Sequence, residues 1–171
     1  MFSGTPMAVR DSLLPEFDQE MAATRLVLER LPESAFGWRP HPKSYDLGGL
    51  AAHLAQIPRW GTSILKHDGH DLAAATAPGI ALTTVADVLA KFDSHVTEVR
   101  AGLLEMADAQ LLAPWALRRG THLVLSMPRI AALRAFVVHH SIHHRGQMTV
   151  YLRLQDVPLP PLYGSTADEV M

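Results

Sequence analysis

Apolar residues recur at helical spacing in four long stretches of this chain, at about residues 10–31, 47–66, 85–106 and 128–155. Side chains three and four positions apart share one face of a helix, so each stretch predicts an amphipathic helix with one apolar stripe. Four such helices can bury their stripes against one another in a bundle. The sequence therefore predicts an all-α protein, a four-helix bundle formed by a single domain over residues 1–171.

Two segments between the helices lack helical spacing. Residues 67–83 contain several small and polar residues, which predicts a long loop after the second helix. Residues 109–127 hold two short extended segments around the Arg119-Gly120 pair, which predicts a short hairpin-like excursion between helices three and four, and not a sheet. His95 lies beside the apolar stripe of the third helix, so we expect it at the surface.

Composition and charge exclude several classes of function. The 171 residues include no cysteine, so a metal ion would have to bind nitrogen or oxygen atoms. The net charge is −2, and Arg118-Arg119 is the only adjacent basic pair, so we expect no nucleic-acid partner. No signal-peptide core begins the chain and no apolar run reaches the ~20 residues that cross a bilayer. We therefore expect a cytoplasmic protein without membrane contact.

Residues 136–148 contain four of the ten histidines, as the pairs His139/His143 and His140/His144. The members of each pair lie one helical turn apart, a spacing that lets two imidazoles bind one metal ion. A helical wheel places His140 and His144 on a mostly apolar stripe, with His139 about 100° away. We predict that His140 and His144 are metal ligands. The alternative is a helix whose histidines face solvent or a partner.

A third histidine is predicted to face inward from another helix. His53, in the second helix, shares its face with Leu50, Ile57 and Trp60. A neutral imidazole in a core needs partners for both ring nitrogens, so inward histidines on two helices suggest a shared ion. The sequence thus predicts a metal site of His53, His140 and His144 with an open coordination position.

Two points about this site stay open in the sequence. Gln147 lies one turn beyond His144 on the same stripe and is a candidate catalytic residue that could orient a ligand or a water molecule. An ordinary buried polar role is equally compatible with its position. Asp18 and Glu20 of the first helix could supply a fourth ligand, although both lie off the apolar face of that helix.

Several motifs resemble those of the DinB-like family, bacterial four-helix bundles related to metal-dependent hydrolases and thiol S-transferases. The matching stretches are His-Pro-Lys-Ser (41–44), Leu-Gly-Gly-Leu-Ala-Ala-His (47–53), His-Ser-Ile-His-His-Arg-Gly-Gln (140–147) and Leu-Tyr-Gly-Ser-Thr-Ala-Asp-Glu (162–169). The resemblance implies that His53, His140 and His144 are the metal ligands, that the ion is Ni²⁺ or Zn²⁺, and that the protein forms homodimers.

The resemblance also implies a function. It indicates a metal-dependent enzyme, similar to a thiol S-transferase or to a hydrolase, acting on a small-molecule substrate such as a low-molecular-weight thiol. One alternative is a non-catalytic, metal-stabilised bundle acting as a dimeric, stress-related binding module. Another is a dimeric partner protein without metal. We expect the dimer to bury helix surface, since the face of the fourth helix that includes Ala135, His139 and Ile142 is not a charged one and the third helix has similar spare apolar area.

Overall fold

The computed structural model describes residues 8–74 and 82–170. Its long helices confirm the predicted four-helix bundle, and a short α-helix, a 3-10 helix and three strands accompany them. In chain order the elements are α1 (Val9–Leu28), the 3-10 helix (Glu33–Ala35), α2 (Leu47–Lys66), β1 (Gly69–Asp71), α3 (Val85–Glu105), α4 (Asp108–Leu112), β2 (Pro114–Arg119), β3 (His122–Pro128), α5 (Arg129–Leu133), a π-helical segment (Arg134–His139) and α6 (His140–Leu154). The last three run on without a break and form the fourth long helix.

The helices are arranged so that α2 packs against α3 and the fourth helix, and α1 packs against the same two. Consequently α1 and α2 lie diagonally across the bundle. Gly61 marks the closest approach of α2 to its neighbours, since a Cβ there would lie 2.8 Å from Val99 of α3 and 3.4 Å from Val137 of the fourth helix. A side chain at this position would push α2 away from both helices.

Side-chain contacts fix both ends of α2. Asp46 caps the first turn, because its carboxylate accepts a hydrogen bond of 2.7 Å from the Gly49 amide. At the other end the buried Arg129 side chain donates to the Ile64 carbonyl and, at 2.6 Å, to the His67 carbonyl. Unpaired carbonyls at a helix C-terminus are thereby satisfied by the fourth helix. These contacts set the position of α2 relative to the fourth helix.

The hairpin predicted for residues 109–127 is present, but the expectation that it would not form a sheet is wrong. β2 and β3 pair antiparallel around Gly120, which has a φ of +59°. β1 adds a third, parallel strand to β2, with Gly69 opposite Ala116. This strand lies inside the predicted loop 67–83, of which residues 75–81 are outside the described part of the chain.

The prediction that His95 is a surface residue is also wrong. His95 is buried in α3, and its Nδ1 lies 2.9 Å from the Ala55 carbonyl of α2, to which it donates a hydrogen bond. This interhelical bond reduces the cost of burying the ring. None of the helices in residues 8–74 and 82–170 combines the length and hydropathy needed to cross a bilayer.

Candidate metal centre

The structure brings the side chains of His53, His140 and His144 together between α2 and α6. The Nε2 atom of His53 lies 3.3 Å from that of His140 and 3.1 Å from that of His144, and the Nε2 atoms of His140 and His144 are 2.9 Å apart. Each of the three residues is partly buried. Across the described ranges, this is the one group of three or more histidine or acidic side chains that could share an ion.

The distances between the three Nε2 atoms fit a shared divalent ion. Imidazole nitrogens bind zinc at about 2.0–2.1 Å, which implies separations of about 3.3–3.4 Å between ligand atoms in a tetrahedral site and about 2.8–3.0 Å between adjacent ligands in an octahedral one. The observed separations extend from 2.9 Å, which matches the octahedral value, to 3.3 Å, which matches the tetrahedral one. The side chains can therefore form one face of either coordination shell.

The environment of the cluster keeps its histidines in the neutral form that binds metal. Burial, followed by the charges that His144 and His140 would bear on protonation, lowers the pKa of His53 to about 4. The pKa values of His140 and His144 are also lowered, in both cases mainly by burial. All three rings are thus neutral at neutral pH, which is the form that can bind a metal ion.

Hydrogen bonds on the far side of two rings direct their Nε2 atoms toward the cluster. His144 Nδ1 donates to Gln147 Oε1 over 2.7 Å. The His140 ring donates to the backbone carbonyl of Phe136, in the π-helical segment that precedes it, and because Nε2 faces the cluster the donor is Nδ1. A proton on Nδ1 leaves Nε2 as the lone-pair donor, which is the arrangement typical of metal-binding histidines.

The predicted residues divide into two groups in the structure. His139 and His143 are exposed and lie outside the cluster. Gln147 is exposed as well, and its Oε1 accepts a hydrogen bond from the outer side of the His144 ring, which fits a role in positioning that ring. A direct catalytic role for Gln147 stays a prediction.

Neither acidic residue considered as a fourth ligand belongs to the cluster. Asp18 forms an ion pair of 2.9 Å with Arg100 on α3. The expectation that Glu20 lies off the buried face of α1 is wrong, because Glu20 is buried and pairs with the fully buried Arg145 of α6 over 2.6 Å. The described residues therefore contribute neutral nitrogen ligands only, which leaves room for an exogenous ligand.

The Glu20–Arg145 pair is the part of the site region that the sequence did not reveal. Arg145 follows His144 directly, and it also donates to the Glu20 carbonyl at 3.0 Å. The Tyr163 hydroxyl, from the C-terminal tail, donates to the Glu20 carboxylate at 2.6 Å. The pair thereby connects α1, α6 and the C-terminal tail at the residue that follows His144. Helical periodicity gave no signal for it, because Arg145 lies about 140° from His140 on a helical wheel, away from the predicted apolar stripe.

Replacing Gln147 with alanine should weaken metal binding about 10- to 100-fold, because the Nδ1 proton of His144 loses its acceptor and the ring its fixed orientation. Metal dissociation constants measured by competition with a chelator would test this. Val150→Ala provides a control, since Val150 is exposed one turn further along α6. Equal affinities for Gln147→Ala and the control would contradict the positioning role.

A family model and a curated relative both match nearly the whole chain. The model of the DinB family matches residues 5–170. The uncharacterized protein YrdA of Bacillus subtilis (strain 168) is 25% identical over 159 residues, which are 93% of this chain and 90% of YrdA.

Two crystal structures share the fold. A DinB-like protein from Bacillus cereus ATCC 10987 superimposes with a TM-score of 0.70 at 22% identity, over 93% of this chain and all of that one. The DinB-like protein YjoA from Bacillus subtilis gives a TM-score of 0.69 at 17% identity, over 89% of this chain and 96% of YjoA.

Proposed function

This chain belongs to the DinB family, and from that premise we propose that it is a metal-dependent enzyme whose divalent ion, Ni²⁺ or Zn²⁺, is held by His53, His140 and His144. The observation that supports this most directly is the convergence of three neutral Nε2 atoms within 3.3 Å of one another. Without an ion, three partly buried imidazoles that face one another through Nε2 would either bring lone pairs into contact or leave at least one Nε2 atom without a proper hydrogen bond.

The chain's own residues have definable tasks in such an enzyme. When bound, the ion would supply Lewis acidity and lower the pKa of a thiol or a water molecule that it holds. His53 comes from the neighbouring helix α2 and the other two histidines from α6, so the ligands are held by two rigid elements. Gln147 and the Phe136 carbonyl keep His144 and His140 in the required tautomer. A thiol substrate would give S-transferase activity, and water would give hydrolysis.

An activity screen tests the proposal. The protein loaded with Ni²⁺ or Zn²⁺ would be assayed with thiols plus electrophiles, and separately with esters. We expect turnover that His53→Ala abolishes and His143→Ala preserves, because His143 is exposed outside the cluster. Activity that survives in His53→Ala would contradict a role for the ion.

Metal occupancy should depend on pH in a way that reflects the lowered pKa values. Only neutral imidazole binds metal, and the pKa of His53 in the folded protein is about 4, against 6.5 for an ordinary histidine. We therefore expect occupancy to persist at pH 6 and to fall as the pH approaches 4. Equilibrium dialysis between pH 4 and 8, with circular dichroism to monitor folding, measures this. Loss of the ion already at pH 6 would indicate histidines in an ordinary, solvated environment.

A non-catalytic, structural role for the ion is the second candidate, because the three histidines come from two different helices. The three histidines connect α2 to α6, so an ion there would cross-link two helices of the bundle. A metal-stabilised binding module would then show a higher melting temperature with metal but no turnover in the screen. A protein carboxylate that completes a closed shell would support the same alternative.

We also propose that the protein forms a homodimer through the exposed face of the fourth helix. Of the residues expected there, His139 is exposed, whereas Ala135 and Ile142 are partly buried. Val150 and Leu154 of the same helix are also exposed, with exposed fractions of 58% and 56%. A helix face with exposed apolar side chains of this kind can be buried by a second copy. Light scattering should give twice the mass of the 18.7 kDa chain, and Val150→Glu should reduce it to one chain. A wild-type mass of one chain at micromolar concentration would exclude the dimer.

A further inference from the structure

An exposed aromatic side chain lies directly beside the histidine cluster. The Tyr45 ring stacks on the ring of His53, with 5.7 Å between ring centroids and 20° between the planes. Tyr45 nevertheless has an exposed fraction of 55%, whereas His53 is only partly exposed. Much of the Tyr45 surface is therefore free to contact a small molecule that reaches the cluster.

The backbone of Tyr45 is held firmly although its side chain is exposed. The hydroxyl of Tyr151, a core residue, donates to the Tyr45 carbonyl over 3.2 Å. The next residue, Asp46, caps α2 and forms an ion pair of 2.7 Å with Arg39. An aromatic ring on such a fixed backbone loses little conformational freedom when it binds a ligand. The same ring at the tip of a loosely held loop would have to be ordered first.

The three histidines indicate which charge the substrate should carry. Three neutral imidazoles leave the charge of a divalent ion uncompensated, and no carboxylate of the described residues joins them. An anionic donor atom on the substrate would balance that charge. A substrate that binds here therefore combines an anionic group with a portion that contacts Tyr45.

We propose that Tyr45 is a substrate-binding residue, and that the substrate bears a carboxylate attached to a planar aromatic group that stacks on Tyr45. This inference rests on the proposed function, because the anionic group binds the ion held by His53, His140 and His144. It adds the class of substrate and the residue that selects it. Aromatic rings prefer offset-stacked or edge-to-face partners, which a planar group provides and a puckered saturated ring does not.

Benzoate and cyclohexanecarboxylate are matched probes for this inference, since both are carboxylates of similar size and differ in planarity. Titration calorimetry of the full chain loaded with Ni²⁺ or Zn²⁺ would measure the dissociation constant of each. We expect benzoate to bind about two- to tenfold more tightly than cyclohexanecarboxylate, in line with the strength of aromatic pairs. Tyr45→Phe should keep this preference, and Tyr45→Leu should abolish it with an unchanged metal content.

The possible outcomes separate this inference from the proposed function. A chain that binds metal but shows the same ratio of affinities in wild type and in Tyr45→Leu overturns the role of Tyr45 and leaves the metal site intact. A wild-type chain that binds neither Ni²⁺ nor Zn²⁺ overturns both. Equal binding of benzoate with and without metal overturns the proposed contact of its carboxylate with the ion.

Discussion

Replacing Glu20 with alanine should lower the free energy of unfolding by about 3–5 kcal/mol, the range typical when one partner of a buried ion pair is removed. Arg145 and Glu20 have exposed fractions of only 1% and 6%, and their charged groups are 2.6 Å apart. Without the carboxylate, the guanidinium keeps the Glu20 carbonyl as an acceptor but has no opposite charge in the interior. Its uncompensated burial is the source of the expected loss.

Glu16→Ala is a matched control for this prediction. Glu16 lies on the same helix and pairs with Arg134 of the fourth helix over 2.9 Å, but the two side chains are 35% and 34% exposed. A solvated pair contributes at most about 1 kcal/mol. Urea unfolding of both metal-free variants, followed by circular dichroism, provides the comparison. Similar losses of unfolding free energy in the two variants would contradict the claim that burial makes the Glu20–Arg145 pair more important for stability than an exposed pair.

Replacing any one histidine of the cluster with alanine should reduce metal affinity by more than about 100-fold, the upper range for losing an outer-shell partner. The reason is that a directly bound nitrogen disappears and a divalent ion retains only two protein ligands. His53→Ala is the most informative variant, since His53 alone connects the ion to α2. Chelator competition on each of the three variants measures the effect.

His139→Ala and His143→Ala are the controls for these variants. Both side chains are exposed, and both belong to the same histidine-rich stretch as His140 and His144. His143 also contacts the His144 ring, at 4.8 Å between centroids, so its removal tests whether mere proximity matters. Near-wild-type affinity is expected for both. A loss in these variants as large as in His140→Ala would contradict the assignment of the ligands.

The bundle and the grouping of the three histidines could be predicted because both depend on helical periodicity. His140 and His144 lie on one continuous helix, so their spacing alone makes them neighbours. His53 was identified because its own helix has a clear apolar face that includes Leu50 and Ile57, both buried in the structure. The apolar stripes of the two helices are enough to predict that their inward faces, and the histidines on them, meet.

Other features were not predictable because they depend on contacts between distant segments. β1 is three residues long and pairs with a strand more than forty residues later, so no local pattern marks it. Glu20 and Arg145 are 125 residues apart, and their burial becomes visible only when α1 packs on α6. The π-helical segment Arg134–His139 also changes the rotation per residue just before the cluster, which a uniform helical wheel does not include.

The metal content and ligand environment of the purified protein test the central claim most directly. Elemental analysis should find one Ni²⁺ or Zn²⁺ ion per chain after loading. X-ray absorption should find three imidazole nitrogens at about 2.0–2.1 Å from the ion. An ion that is absent from the wild type, that has fewer than three imidazole ligands, or that remains bound with unchanged spectrum in His53→Ala would contradict the site described by His53, His140 and His144.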